Sequence, residues 1–393
     1  MNKLFSLVPV LLGFAWVASA DMNSAARYDA FQPGRLWLDN HGTHINAHGG
    51  GILFHGGRYY WFGEHKIEGQ AGNVAHVGVH CYSSEDLYNW TDEGIALRVS
   101  EDPASDIADG CILERPKVIY NQKTGKFVMY FHLELKGQEY HAARTGIAVA
   151  DKAAGPYSFV RSLRPNAGQW PVNVRPEQQS PESIAAAKAA ETAGRLSRKD
   201  NILGAHFAGG QMSRDMALFV DDDGKAYHIF ASEENSTLHI AELTDDYLGY
   251  SGKYVRVFEQ RWMEAPAICK RNGKYYFIGS DCTGWSPNPA RTAVADSIWG
   301  PWTELGNPCE GRNPENGLGL EKTFGGQSTF ILPVRGKKDT FIAMFDLWRP
   351  DNAIDGRYIW LPITFAGGGF KIKWSNEWDL RNCQKTMTYS LSP

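Results

Sequence analysis

Five stretches of the chain share one order of polar and apolar positions: a polar residue, an apolar run of about five residues, a turn with glycine, then an aromatic-rich run. They are AHGGGILFHGGRYYWFGE from Ala47, ERPKVIYNQKTGKFVMYFH from Glu114, DMALFVDDDGKAYHIFAS from Asp215, EAPAICKRNGKYYFIGS from Glu264 and QSTFILPVRGKKDTFIAMFD from Gln327. Each predicts a β-hairpin, and together they form an internal repeat. Ala154-Gly155-Pro156-Tyr157 and Trp299-Gly300-Pro301-Trp302 are further echoes, each closing a unit.

Aligned on Gly57, Gly224, Gly273 and Gly336, the residue nine places upstream of the turn is His48, Asp215, Glu264 or Gln327. In the stretch with Gly125 the turn is two residues longer, and Glu114 takes the equivalent place. Repeated β-units with such irregular spacing fit radial blades, which predicts an all-β, five-bladed β-propeller. The first strand of each blade then lines the central channel, and the five matched side chains converge on one mouth. A sandwich plus a second domain, the competing all-β arrangement, would scatter them.

Between the second and third units the spacing widens, from Arg164 to Gln211. There SPESIAAAKAAETAGRL offers Ser180 as N-cap, Pro181 at the first helical position and an alanine-rich body, so a helical insertion of about 164–211 is expected beside or over the site. KIKWSNEWDL, near the C-terminus, is expected to complete the last blade beside the N-terminal strand.

Residues 1–20 combine Lys3, the apolar run LFSLVPVLLGFAWV and the small residues Ala18-Ser19-Ala20. They read as an export signal, leaving one propeller domain over 21–393. No other run is long and apolar enough to span a bilayer, and no cysteine follows the cleavage site to take a lipid. A secreted or periplasmic monomer without membrane attachment is expected. The net charge of -4 provides no basic surface for nucleic acid. Export would permit disulfides among Cys81, Cys111, Cys269, Cys282, Cys309 and Cys383, but the spacing selects no pairing and contains no CxxC.

The chemistry lies in the carboxylates. Hydrolysis of a glycosidic bond needs one protonated acid at the leaving oxygen and a second group that activates water or attacks the sugar. Glu114, Asp215 and Glu264 at one mouth supply these, and like charges held close raise the pKa of at least one. The plainer alternative is that they tie neighbouring blades together. His41, His44 and His48 have a metal-like spacing, yet Gly49-Gly50-Gly51 signals a strand where something approaches the backbone closely, so no metal site is assigned. His48 is instead expected to line the channel, touching water or substrate or a structural ion at the axis. No cofactor is required. Trp285, Asn288, Trp348, Arg349, Arg357 and Tyr358 follow the second strands of the last two units and are candidates for sugar contacts. The turn Asp221-Asp222-Asp223-Gly224 lacks a calcium-loop pattern. Asn89 and Asn235 head N-glycosylation acceptor motifs, relevant in a eukaryotic host.

The segments AHGGGILFHGGRYYWFGEHK, ERPKVIYN, SRDMALFVDDDGKAYHIF, MEAPAICKRNGKYYFIGS and GRYIWLPITF together resemble glycoside hydrolase family 43, in its exo-β-1,3-galactanase-like branch. The resemblance implies a five-bladed propeller, inversion at the anomeric carbon and release of galactose from β-1,3-galactan of the arabinogalactan type. It makes Glu264 the general acid and Asp215 the carboxylate that tunes it. Where typical members carry an aspartate base in blade one, this chain has Ala47-His48-Gly49. The resemblance then assigns assistance of the water to Gln327, with Glu114 nearby. An α-L-arabinofuranosidase or another galactosidase on the same scaffold, and a sugar-binding propeller without turnover, are the alternatives.

Overall fold

Five antiparallel sheets follow one another along the chain, and their first strands form the hub of a ring. The computed structural model describes residues 27–381; the expected export signal at 1–20 and Cys383 lie outside the described residues. The hub strands are His48–His55, Cys111–Asn121, Met216–Val220, Glu264–Arg271 and Gln327–Pro333. Each packs against the hub strands of both neighbours, the fifth against the first, so the ring closes as a five-bladed β-propeller. Burial falls from hub to rim: the apolar run Ala265 to Cys269 is buried, whereas the outermost strand of the same blade, Thr303–Gly306, is exposed throughout. That gradient explains why hub strands read as continuous apolar runs and rim strands hardly register as strands.

A local device recurs where the hub strands begin. Strand register slips between His48 and Gly51, between Glu114 and Lys117, and between Glu264 and Ala267, the mark of a β-bulge. The residue after the matched position is left-handed in each: Gly49 at φ 61°, Arg115 at 56° and Ala265 at 51°. For Arg115 and Ala265 this costs about 1 kcal/mol or more apiece. The bulge turns the amide sideways onto a carboxylate of the preceding blade: Gly49 N to Asp346 at 2.5 Å, Arg115 N to Glu64 at 3.0 Å, Ala265 N to Asp215 at 2.9 Å. Carboxylates therefore do tie blades together, and Asp215 is one of them.

Closure is achieved by side chains more than by strand pairing. Phe31 and Trp378 form a two-bond bridge and stack at 4.3 Å between ring centroids, within a seam that includes Trp37, Trp61, Trp90 and Trp360. Of the expected C-terminal segment KIKWSNEWDL, strand Gly369–Lys373 completes blade five and pairs on its other edge with Cys309–Glu310, while Trp378 further along makes the bridge to Phe31 near the N-terminus. The insertion contains helix Pro181–Thr192, capped as expected by Ser180, whose hydroxyl accepts from Ser183 N. It lies beside the rim of blade three, with Val172 N bonded to Tyr254 O at 2.8 Å and Asn173 bonded to Arg256. Five cysteines, Cys81, Cys111, Cys269, Cys282 and Cys309, are free thiols.

Candidate active site

At the mouth where the bulges lie, a cup of about 390 Å³ is lined by Glu64, Asn73, Glu114, Arg115, His132, Tyr140, Arg214, Asp215, Asn235, Glu264, Trp285, Gln327 and Trp348. Four of the five matched positions, Glu114, Asp215, Glu264 and Gln327, open into it. Glu264 is largely buried; burial first, and the negative charge of Asp215 second, push its carboxyl up to about 7. Asn235 Nδ2 donates to its Oε1 at 2.8 Å. A carboxyl at that value is protonated in a large share of molecules at neutral pH and yields its proton readily, as a general acid must. Asp215 receives the Ala265 amide and pairs with Arg115 Nη2 at 3.0 Å.

Gln327 is oriented by obligate donors. Its Oε1 accepts from Arg115 Nη2 at 2.5 Å and Trp348 Nε1 at 3.1 Å, and its Nε2 donates to Ser280 Oγ at 2.9 Å. Neither a guanidinium nor an indole nitrogen can accept, so the amide oxygen is held as a carbonyl. Glu114 sits in a different environment. Burial pushes its carboxyl up, but charged His132 at 2.6 Å, with Tyr140 at 2.8 Å and Asn73 Nδ2 also donating, holds it down to about 2. Against its own burial, His132 is raised to about 9 by Glu114 and by Glu134 at 2.8 Å. The result is a buried carboxylate, imidazolium, carboxylate chain in which Glu114 stays ionised and is a weak base. Glu114, His132 and Asp215 also bring ligand-type atoms within 4.8 Å of one another, but hydrogen bonds to the two glutamates take up both nitrogens of His132.

Trp285 and Trp348 meet edge to face at 5.8 Å on the rim; Trp285 is 43% exposed. They are the two aromatic candidates that line the cup. Of the other expected sugar contacts, Asn288 lines a small recess beside the cup with Trp285, Gln327 and Trp348, whereas His48, Arg349, Arg357 and Tyr358 do not line the cup, and the expectation is corrected for these four. His48 is fully buried: the backbone at Gly356 lies so near that a Cβ there would stand 2.2 Å from its ring, and Tyr358 stacks on it at 5.3 Å. Tyr358 is spent inside the wall, its hydroxyl bonded to Ala47 N and Ile45 O. Arg357 donates to Asp355 and Gly356 O, and Asn288 closes its own loop through Asp281 and Thr283. Arg349, at the loop surface, pairs with Asp355.

Sequence reasoning missed Glu64, Asn73, Arg115, His132, Tyr140, Arg214 and Asn235. A signal existed for two of them. The five repeated stretches end in Glu64, His132, Ser232, Ser280 and Asp346, all polar, and strand register sets Glu64 opposite His48, His132 opposite Glu114, Ser280 opposite Glu264 and Asp346 opposite Gln327. Asn235, a possible glycan acceptor by motif, instead faces the acid.

A tuned acid facing an oriented amide at a propeller mouth is equipment for cutting bonds between sugars. The profile of glycosyl hydrolases family 43 matches residues 169–319. A solved family 43 β-1,3-galactosidase, bound to galactodeoxynojirimycin, is 52% identical with a TM-score of 0.80, over 89% of this chain and all of that one. The exo-β-1,3-galactanase of Phanerochaete chrysosporium, solved with β-1,3-galactotriose, is 30% identical (TM-score 0.70), over 90% of this chain and 68% of that one. That of Clostridium thermocellum is 34% identical (TM-score 0.70); the match covers 88% of this chain and 66% of the relative. A β-D-galactofuranosidase of Aspergillus niger is 31% identical over 96 residues, 24% of this chain and 27% of that protein. The chain belongs to glycoside hydrolase family 43.

Proposed function

We propose that the protein is an exported, inverting exo-hydrolase that releases galactose from β-1,3-galactan chains of the arabinogalactan type. The observation that carries the reading is the contrast between two carboxyls in one cup, Glu264 raised to about 7 and Glu114 held at about 2. Environments that push paired carboxyls apart assign acid and partner. The substrate class rests on the galactose-acting relatives. Glu264 gives its proton to the leaving glycosidic oxygen as the bond to the anomeric carbon breaks, and a water attacks from the opposite face. Gln327 orients that water. Once its bond to carbon forms, the water is a strong acid, so even Glu114 can take its proton. Glu114 has acceptor capacity left for it, since a carboxylate offers about four sites.

Hydrolysis is metal-independent in this reading, and nucleic acid and membrane play no part. What supports it at the hub is Lys117, buried in the channel wall with its ammonium bonded to Gly49 O at 2.7 Å and Arg115 O at 3.3 Å, a built-in cation among Glu64, Asp346 and Asp215. The protein is taken to act as a monomer in the periplasm or outside the cell. Incubation with β-1,3-galactobiose, followed by proton NMR, tests the function: α-galactose should appear first, and Glu264→Gln should bind without release. Binding by the wild-type protein without release would favour a sugar-binding propeller, β-galactose appearing first would rule out inversion, and release of arabinose from arabinofuranosides alone would move the substrate class.

A further inference from the structure

We infer that the turn Glu233 to Ser236 is a positioning device that fixes which oxygen of Glu264 carries the proton, through Asn235. The inference rests on Glu264 as the acid and concerns how that acid is held. The turn joins strands Ala226–Ser232 and Thr237–Leu243 of blade three and contains three consecutive left-handed residues that are not glycine: Glu233 at φ 49°, Glu234 at 57° and Asn235 at 61°. Such a run opposes the chain's own preference and persists only where its surroundings over-determine it.

The surroundings are identifiable. Glu233, 4% exposed, takes Arg256 Nε at 2.6 Å, Arg256 Nη2 at 2.8 Å and His239 Nε2 at 2.9 Å. Ser236 Oγ donates to Glu233 O at 2.7 Å, and Trp262 N reaches Ser236 O at 3.2 Å. What the turn presents is Asn235, whose Oδ1 faces Arg214 Nη1 at 3.4 Å, an obligate donor. The amide nitrogen must then face Glu264, where Nδ2 donates to Oε1 at 2.8 Å. An amide donor on Oε1 makes it the carbonyl oxygen of the neutral acid and leaves the proton on Oε2. As Oε2 gives that proton to the glycosidic oxygen and the departing oxygen keeps the bonding pair, Glu264 becomes a carboxylate and the Asn235 bond becomes charge-assisted. It strengthens in the transition state and so lowers the barrier. The other groups facing Glu264 are Asp215, Arg115, Glu114 and the Cys282 thiol, which also lies 3.5 Å from Trp262 O.

Asn235→Ala and Asn235→Asp, the second keeping a residue that tolerates the left-handed turn, are compared with wild type on β-1,3-galactobiose and on β-D-galactosyl fluoride, whose leaving group needs little acid. Both variants should lose about 10- to 100-fold in kcat on galactobiose and less than about threefold on the fluoride. In Asn235→Ala the alkaline limb of kcat/KM should move to higher pH, because a donor to the carboxylate has gone. Equal losses on both substrates, or an unmoved alkaline limb, would overturn the inference. Glu264→Gln runs alongside: if it shows no preference for the fluoride, the acid assignment itself fails, whereas a preference there without one in the Asn235 variants sinks only the positioning role.

Discussion

Replacing the acid should make the protein more stable, and only above the pH at which an ordinary glutamate ionises. Glu264 has its carboxyl raised from 4.5 to about 7 in the folded protein. Between those values the folded chain holds a proton that the unfolded chain has released, so stability falls as pH rises through this window. At about 1.36 kcal/mol per pH unit the separation amounts to roughly 3 kcal/mol. The cup is open to water, which screens the charge, and the expected effect is about 1–3 kcal/mol. Glu264→Gln has the same shape and can keep the bond from Asn235, but never acquires the charge. At pH 5 the variant should melt only slightly above wild type, and at pH 8 it should melt clearly higher. With roughly 2.1 cal/mol/K of unfolding entropy per residue, a chain of 393 residues moves by about 1 °C per kcal/mol, so the gap should open by about 1–4 °C. Differential scanning calorimetry of both proteins at the two pH values measures it. A gap that is the same at pH 5 and pH 8 would refute the reasoning.

The chain of Glu114, His132 and Glu134 gives a prediction of opposite sign. His132 is raised to about 9, so the stability it contributes is fully present below 6.5 and is lost as pH rises through about 9. Removing one partner of such a pair, by Glu114→Gln, should cost about 3 kcal/mol near pH 6, and denaturant unfolding repeated at pH 9.5 should show the penalty reduced. In the channel, Lys117 is lowered to about 7, by burial first and then by Arg115. Lys117→Met orphans the carbonyls of Gly49 and Arg115, at about 1–3 kcal/mol; equal urea midpoints for variant and wild type at pH 7 would show that the ammonium is dispensable.

The hairpin repeat was legible because its causes are local. Apolar alternation, the turn glycines and the N-cap Ser180 each act over a few residues, and they placed the blades, the helix in the insertion and four of the five matched positions at the cup. His48 failed the same argument although it sits in perfect alignment, because Gly356, remote in sequence, covers its ring. Asn235 was invisible as a site residue for a related reason: its turn is held by Glu233, whose partner Arg256 is 23 residues away.

By itself, then, the sequence determined the five-bladed ring, the identity of Glu264 as the foremost candidate acid and the presence of histidine rather than aspartate at the matched position of blade one. Only the tertiary structure decided which groups meet. Arg115 reaches Gln327 across 212 residues, and Gly49 reaches Asp346 across 297. Those contacts form when the ring closes and the bulges turn amides and side chains sideways between blades. Periodicity along one strand carries the face on which a residue lies, not the neighbour it will find across a blade boundary.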